Sequence, residues 1–132
     1  MKKFQQIRQD FKLPPCLASW GWEYHHIGIP TKRKMPDEKY LPDLKFYVSG
    51  FSTSPFGIEW MRFDADCPLP ELIQTVPHIA FEVENIDEEL SKHDFTILSE
   101  PDSPSAGVRT AMIKHNAAPI ELIEFKGNKN EK

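Results

Sequence analysis

The chain has 132 residues, of which 39% are apolar and 27% charged, and it carries a formal net charge of −4. That length buries one core without disulfide support, and that balance lies away from the low-hydrophobicity, high-charge range in which chains stay disordered. An acidic chain lacks the positive surface that a phosphate backbone demands, which excludes nucleic acid as a partner, and no run approaches the roughly 18 apolar residues of a membrane span.

Taken in order, Met1 to Leu13 is charged and has no apolar stretch of the secretory kind, so a cytoplasmic location is expected. Phe4, Ile7 and Phe11 stand at spacings of three and four, which predicts a short amphipathic helix within an N-terminal extension, residues 1–21. Cys16 and Cys67 belong to no Cys-x-x-Cys pair, so buried free thiols are expected rather than a thiolate metal site or redox motif. From Trp22 to Pro30 aromatic and β-branched residues alternate in character as in a strand. Strict alternation puts Trp22, Tyr24, His26 and Gly28 on one face, so that His26 looks into a cavity and His25 does not. Ile27 and Ile29 fall on the other face, the side to be covered by a second layer.

Lys32, Arg33 and Lys34 lie in a loop with Pro30 and Pro36 and read as a solvated run. Lys45 to Phe51 and Gly57 to Phe63 predict a hairpin around Gly50, Ser52, Ser54 and Pro55. Prolines 68–70 and 101–104 mark connecting segments. Pro77 to Val83 is again a strand, and Asn85 with Glu88 three residues on makes a capping box for a helix from Ile86 to about His93. Strands follow near residues 95–99, 108–115 and 119–125, and a polar tail, 126–132, closes the chain with frayed ends expected.

The two halves repeat each other at two places. His26-Ile27-Gly28-Ile29 matches His78-Ile79-Ala80-Phe81, and Ile58-Glu59-Trp60-Met61-Arg62-Phe63 matches Ile120-Glu121-Leu122-Ile123-Glu124-Phe125. Each half therefore offers one histidine on its first strand and one glutamate on its last. Period-two alternation sets Glu59 with Met61 and Phe63, and Glu121 with Ile123 and Phe125. A carboxylate at the head of an apolar face is costly to bury without a compensating charge, and no lysine or arginine occupies the matching place in the other half. An isolated strand histidine is ordinarily a hydrogen-bonded core residue; the duplicated register is what points to His26, Glu59, His78 and Glu121 sharing one divalent ion. Two imidazoles and two carboxylates suit Zn, Ni, Co, Mn or Fe.

These residues resemble the vicinal oxygen chelate superfamily, which includes glyoxalase I, methylmalonyl-CoA epimerase, extradiol dioxygenases and bleomycin resistance proteins. The likeness runs from Trp22 to Phe125 and is densest at His78-Ile79-Ala80-Phe81-Glu82-Val83, followed by Asn85-Ile86-Asp87. The resemblance implies an α+β fold of two βαβββ modules, here 22–67 and 77–125, forming a half-open β-barrel with the metal in its cleft. Three prolines between residues 30 and 45 imply that the first module has a shortened or missing helix. His115 to Pro119 replaces the family's usual turn before the last strand and is read as a plain turn.

The activity implied is that of a metal-dependent lyase, isomerase or epimerase acting on a small carbonyl-containing substrate through a stabilised enolate, with Glu59 or Glu121 as general base. An extradiol-type dioxygenase using His26, His78 and Glu121 on Fe(II) is an alternative. So is a non-catalytic binding or resistance protein whose cleft is lined or supported by Trp22, Tyr24, Trp60 and Met61. Arg62 and Arg109 are substrate-binding candidates by charge alone. Exposed sheet edges, and the resemblance, imply a homodimer.

Overall fold

In the computed structural model, which describes residues 10–126, alternation and capping account for most of the elements. A one-turn helix, α1 (Pro15–Ala18), precedes β1 (Glu23–Pro30), β2 (Lys39–Leu41), β3 (Phe46–Ser49) and β4 (Ile58–Phe63). A connector helix, α2 (Glu71–Thr75), leads to β5 (His78–Glu82), α3 (Ile86–Lys92), β6 (Thr96–Ser105), β7 (Val108–His115) and β8 (Ala118–Phe125). The eight strands make one mixed sheet in the order β2-β3-β4-β1-β5-β8-β7-β6, curled into the expected half-open barrel. That order is symmetric about its centre. β1 pairs in parallel with β4 as β5 does with β8, and the two halves join along an antiparallel β1–β5 seam.

The convex side of the second half carries the main core. Phe81, Val83, Ala111, Ile113 and Leu122 pack with Trp22 and with Ile86 of α3, while Leu90 and Phe95 close the margin. Ile86 and Leu122 are fully buried, and each such side chain contributes about 1.5–3 kcal/mol by leaving water. The start of α3 is fixed as the capping box predicts, with Asn85 Oδ1 accepting from Glu88 N at 3.0 Å. The Glu124 carboxylate adds a second acceptor, for Ile86 N at 2.9 Å, where a helix favours negative charge.

The first half has no helix between β1 and β2; residues 31–38 turn instead. The chain is held there by Glu38, which accepts two hydrogen bonds from the Arg62 guanidinium, at 2.8 and 2.7 Å, and one from Met35 N. Arg62 also lies over the Tyr47 ring at 4.1 Å. Arg109 pairs with Asp87 and approaches Glu124. Both arginines are thus engaged in holding the fold, which corrects the expectation that charge alone commends them as substrate ligands.

Other expectations change for physical reasons. The register of β1 against β5 shifts between Tyr24 and His26, which reverses the alternation upstream and sends Trp22 into the convex core, away from the cleft. β2 forms within the proline-rich stretch because Lys39, Tyr40 and Leu41 pair with Val48, Tyr47 and Phe46. Pro101 and Pro104 lie inside β6, not in a connector; β6 is an edge strand with irregular register, where a missing N–H costs no ladder bond. Both cysteines are free, and each is only partly buried. Phe4 and Ile7 of the predicted N-terminal helix lie outside the described residues, as does most of the polar tail. Among the described residues no helix is long and apolar enough to cross a membrane.

The β7–β8 hairpin is the plain turn expected, closed by Asn116 and Ala117 at φ 55° and 83°. Such paired left-handed residues give a two-residue hairpin the right twist; asparagine adopts this region readily, but alanine does not, and its Cβ costs about 1–2 kcal/mol at 117. Ala117→Gly is therefore expected to raise stability by roughly 0.5–1 kcal/mol after the added freedom of the unfolded chain is subtracted, read as a higher urea midpoint at constant slope. The hydrogen bonds from Arg62 hold the Glu38 carboxyl down at about 2. Folded Glu38 thus binds a proton less readily than unfolded Glu38, so its contribution is complete above the ordinary carboxylate range and is lost as pH falls toward 2. Arg62→Gln should flatten the fall of the urea midpoint between about pH 5 and 2 relative to wild type.

Candidate metal centre

Two rows of residues cross the four central strands. In one, Glu59 of β4 stands beside Gly28 of β1, which stands beside His78 of β5; in the other, His26 of β1 stands beside Ala80 of β5, which stands beside Glu121 of β8. The rows lie two residues apart along β1 and β5, so all four polar side chains rise from the concave face. Each row has its smallest residue in the middle. The repeat in the sequence thus becomes a repeat in space, with the β1–β5 seam as its axis.

The four predicted side chains meet. His78 Nε2 lies 2.9 Å from Glu121 Oε1, His26 Nε2 lies 3.3 Å from the same oxygen and 3.2 Å from Glu59 Oε1, and the two Nε2 atoms are 3.3 Å apart. The coordinating atoms of His26, His78 and Glu121 all fall within 4.8 Å of one another, so these three can hold one ion. Glu59 stands at the edge of that set, in contact with His26. The ion-pair partners of both carboxylates among the described residues are these histidines, with no lysine or arginine, so the donor set suits a cation. His26 and His78 are 5% and 3% exposed, which keeps competing water from their nitrogens.

The two carboxylates are not equivalent. Burial pushes the Glu59 carboxyl up, the nearby histidines offset this only in part, and the Glu121 charge adds to the rise. Burial acts on Glu121 in the same sense, but hydrogen bonds and charge from His26 and His78 outweigh it and hold that carboxyl down at about 2. Burial would lower His26, yet its hydrogen bond to Glu121 and the charges of Glu121 and Glu59 leave it raised. The site thus contains one firmly ionised carboxylate and one with raised proton affinity.

A cavity of about 360 Å³ is lined by Glu59, His78 and Glu121, whereas His26, expected to look into it, is not part of its lining. Its walls are mainly apolar, including Phe46, Met61, Ile73, Met112 and Phe125, with Lys39 and Asp102 among the polar groups. Met61 is the one expected wall residue that the cavity includes; Trp22, Tyr24 and Trp60 are not part of its lining. Ile73 comes from α2, which covers the cleft from a segment where the sequence pattern marked only a connector. His25, expected to face away, lines the cavity and places its Nδ1 2.8 Å from His26 Nδ1. The register shift that redirects Trp22 makes His25 the extra residue between two paired positions, a displacement that no spacing in the sequence signals.

No family model matches the chain, and no curated protein does. Solved structures do. The hypothetical protein BH1468 from Bacillus halodurans C-125 is similar over 81% of this chain and 96% of its own, with a TM-score of 0.63 at 19% sequence identity. Methylmalonyl-CoA epimerase from Mycobacterium tuberculosis is similar over 80% of this chain and 89% of its own, with a TM-score of 0.56 at 16% identity. These likenesses show a shared fold, consistent with the vicinal oxygen chelate architecture.

Gly28 is required by its neighbour across the seam, because a Cβ there would lie 2.7 Å from both ring nitrogens of His78. Gly28→Ala is expected to destabilise by about 1–3 kcal/mol and to tilt His78 off its partners. A zinc competition titration on the folded variant should then show weaker binding than in wild type.

Proposed function

We propose that the chain is a metal-dependent lyase, isomerase or epimerase of the glyoxalase type, acting on a small carbonyl-containing substrate. The observation that carries this reading is the convergence of two buried imidazoles and two unequal carboxylates, three of which, Glu59, His78 and Glu121, line an apolar cavity. His26, His78 and Glu121 would hold a divalent ion, with Glu59 able to join them. When bound, the ion supplies Lewis acidity that stabilises negative charge developing on a substrate oxygen.

The chain's own residues divide the remaining work. Glu121, kept ionised by two histidines, serves as ligand. Glu59, with its raised proton affinity and single histidine contact, is suited to take the proton from the carbon next to the carbonyl on a carboxylate oxygen and return it there or to a neighbouring carbon. Return to the next carbon isomerises the substrate; inversion of the centre would instead need a second proton donor on the opposite face, with Glu59 keeping the proton it removed. The apolar walls exclude water, which would otherwise compete for the carboxylate. The fold shared with methylmalonyl-CoA epimerase supports this class of proton transfer.

A dioxygenase reading has one observation in its favour, since His26, His78 and Glu121 without Glu59 make a two-histidine, one-carboxylate set. Metal analysis of purified protein separates the two, because the dioxygenase requires Fe(II) and consumes dioxygen. For the proton-transfer reading, wild type should bind one divalent ion per chain. Glu59→Gln should retain the ion but lose deuterium exchange from D₂O into α-branched thioesters or α-hydroxyketones, and Glu121→Gln should weaken the ion's binding by about 10- to 100-fold or more. Full exchange activity in Glu59→Gln, or a wild type that takes up no ion, would refute it.

A further inference from the structure

We infer that His25 is a positioning residue that clamps His26 from outside the metal-binding set, an inference that rests on the metal reading above. The contact is direct, with His25 Nδ1 2.8 Å from His26 Nδ1. With His26 Nε2 facing Glu121 and Glu59, a ligating His26 must carry its proton on Nδ1, and His25 Nδ1 is then the acceptor. Consecutive residues of a regular strand point to opposite faces and cannot make this bond; the extra residue in β1 brings both rings to the concave side.

The acceptor is itself held. Its ring stacks on Phe51, with centroids 5.0 Å apart and planes 9° from parallel, and meets Phe125 at 5.5 Å. Little rotational freedom is left for His25, so the line of its bond fixes the plane of the His26 ring. This arrangement breaks the internal symmetry. In the second half Pro77 occupies the place of His25, and His78 Nδ1 is buried with no hydrogen-bond partner among the described residues. One histidine of the pair is steered by a neighbour, and the other is confined by its packing on Gly28.

The experiment compares Co(II) binding and visible absorption of full-length wild type, His25→Phe and His25→Asn. Phenylalanine keeps an aromatic ring against Phe51 and removes the acceptor, whereas the asparagine Oδ1 stands near where Nδ1 does. His25→Phe is expected to lower Co(II) affinity about 10- to 100-fold and alter the ligand-field bands, and His25→Asn to recover most of both. The inference is overturned if His25→Phe binds Co(II) like wild type with the same spectrum. It is equally overturned if both variants lose affinity alike, since packing rather than the bond would then be responsible. A wild type that binds no Co(II) overturns the metal reading, and this inference with it.

Discussion

The constraint on which the structure turns is the close approach of β1 and β5, where an imidazole from each strand lies beside a residue with almost no side chain on the other. Two bulky polar rings and two carboxylates share one small volume at the centre of the sheet. Burying such groups costs several kcal/mol per charge unless each is compensated, and hydrogen bonds among the four supply part of that compensation. The rest of the molecule reads as a frame for this seam. β4 and β8 flank it in parallel and deliver the acids, and the outer strands curl round to wall the cavity.

The two halves support the seam by different means. In the second, α3 seals the convex side with a core of aliphatic and aromatic groups, and buried Glu124 ties the helix start to β8. In the first, where residues 31–38 turn instead of forming a helix, a loop is tied down through the fork between Arg62 and Glu38. Hydrophobic burial is insensitive to pH, whereas an ion pair is not, so equal topology hides unequal energetics.

Much of this was legible in the sequence because the duplicated His-x-small and Ile-Glu registers lie in strands whose alternation is regular from His26 onward. The same regularity located the α3 cap at Asn85 and the hairpin before β8. What escaped has a common cause in features that local pattern does not encode. A one-residue bulge at His25 reverses the faces of everything before it, so strict alternation places Trp22 on the wrong side and gives no sign of His25. β2 is short and exists through its pairing with β3, and prolines in β6 are tolerated only because that strand is at an edge, a fact of topology. The roles of Arg62 and Arg109 depend on acids 24 and 22 residues away.

The packing of His78 on Gly28 also bears on how such a sequence can drift. Positions 28 and 78 belong to different halves of a duplicated chain, and each is constrained by the volume of the other. A side chain gained at 28 presses His78 off its partners unless a smaller group stands at 78, which would forfeit an imidazole. The two repeated halves are therefore not free of each other here, since the cost of a substitution at 28 depends on what stands at 78.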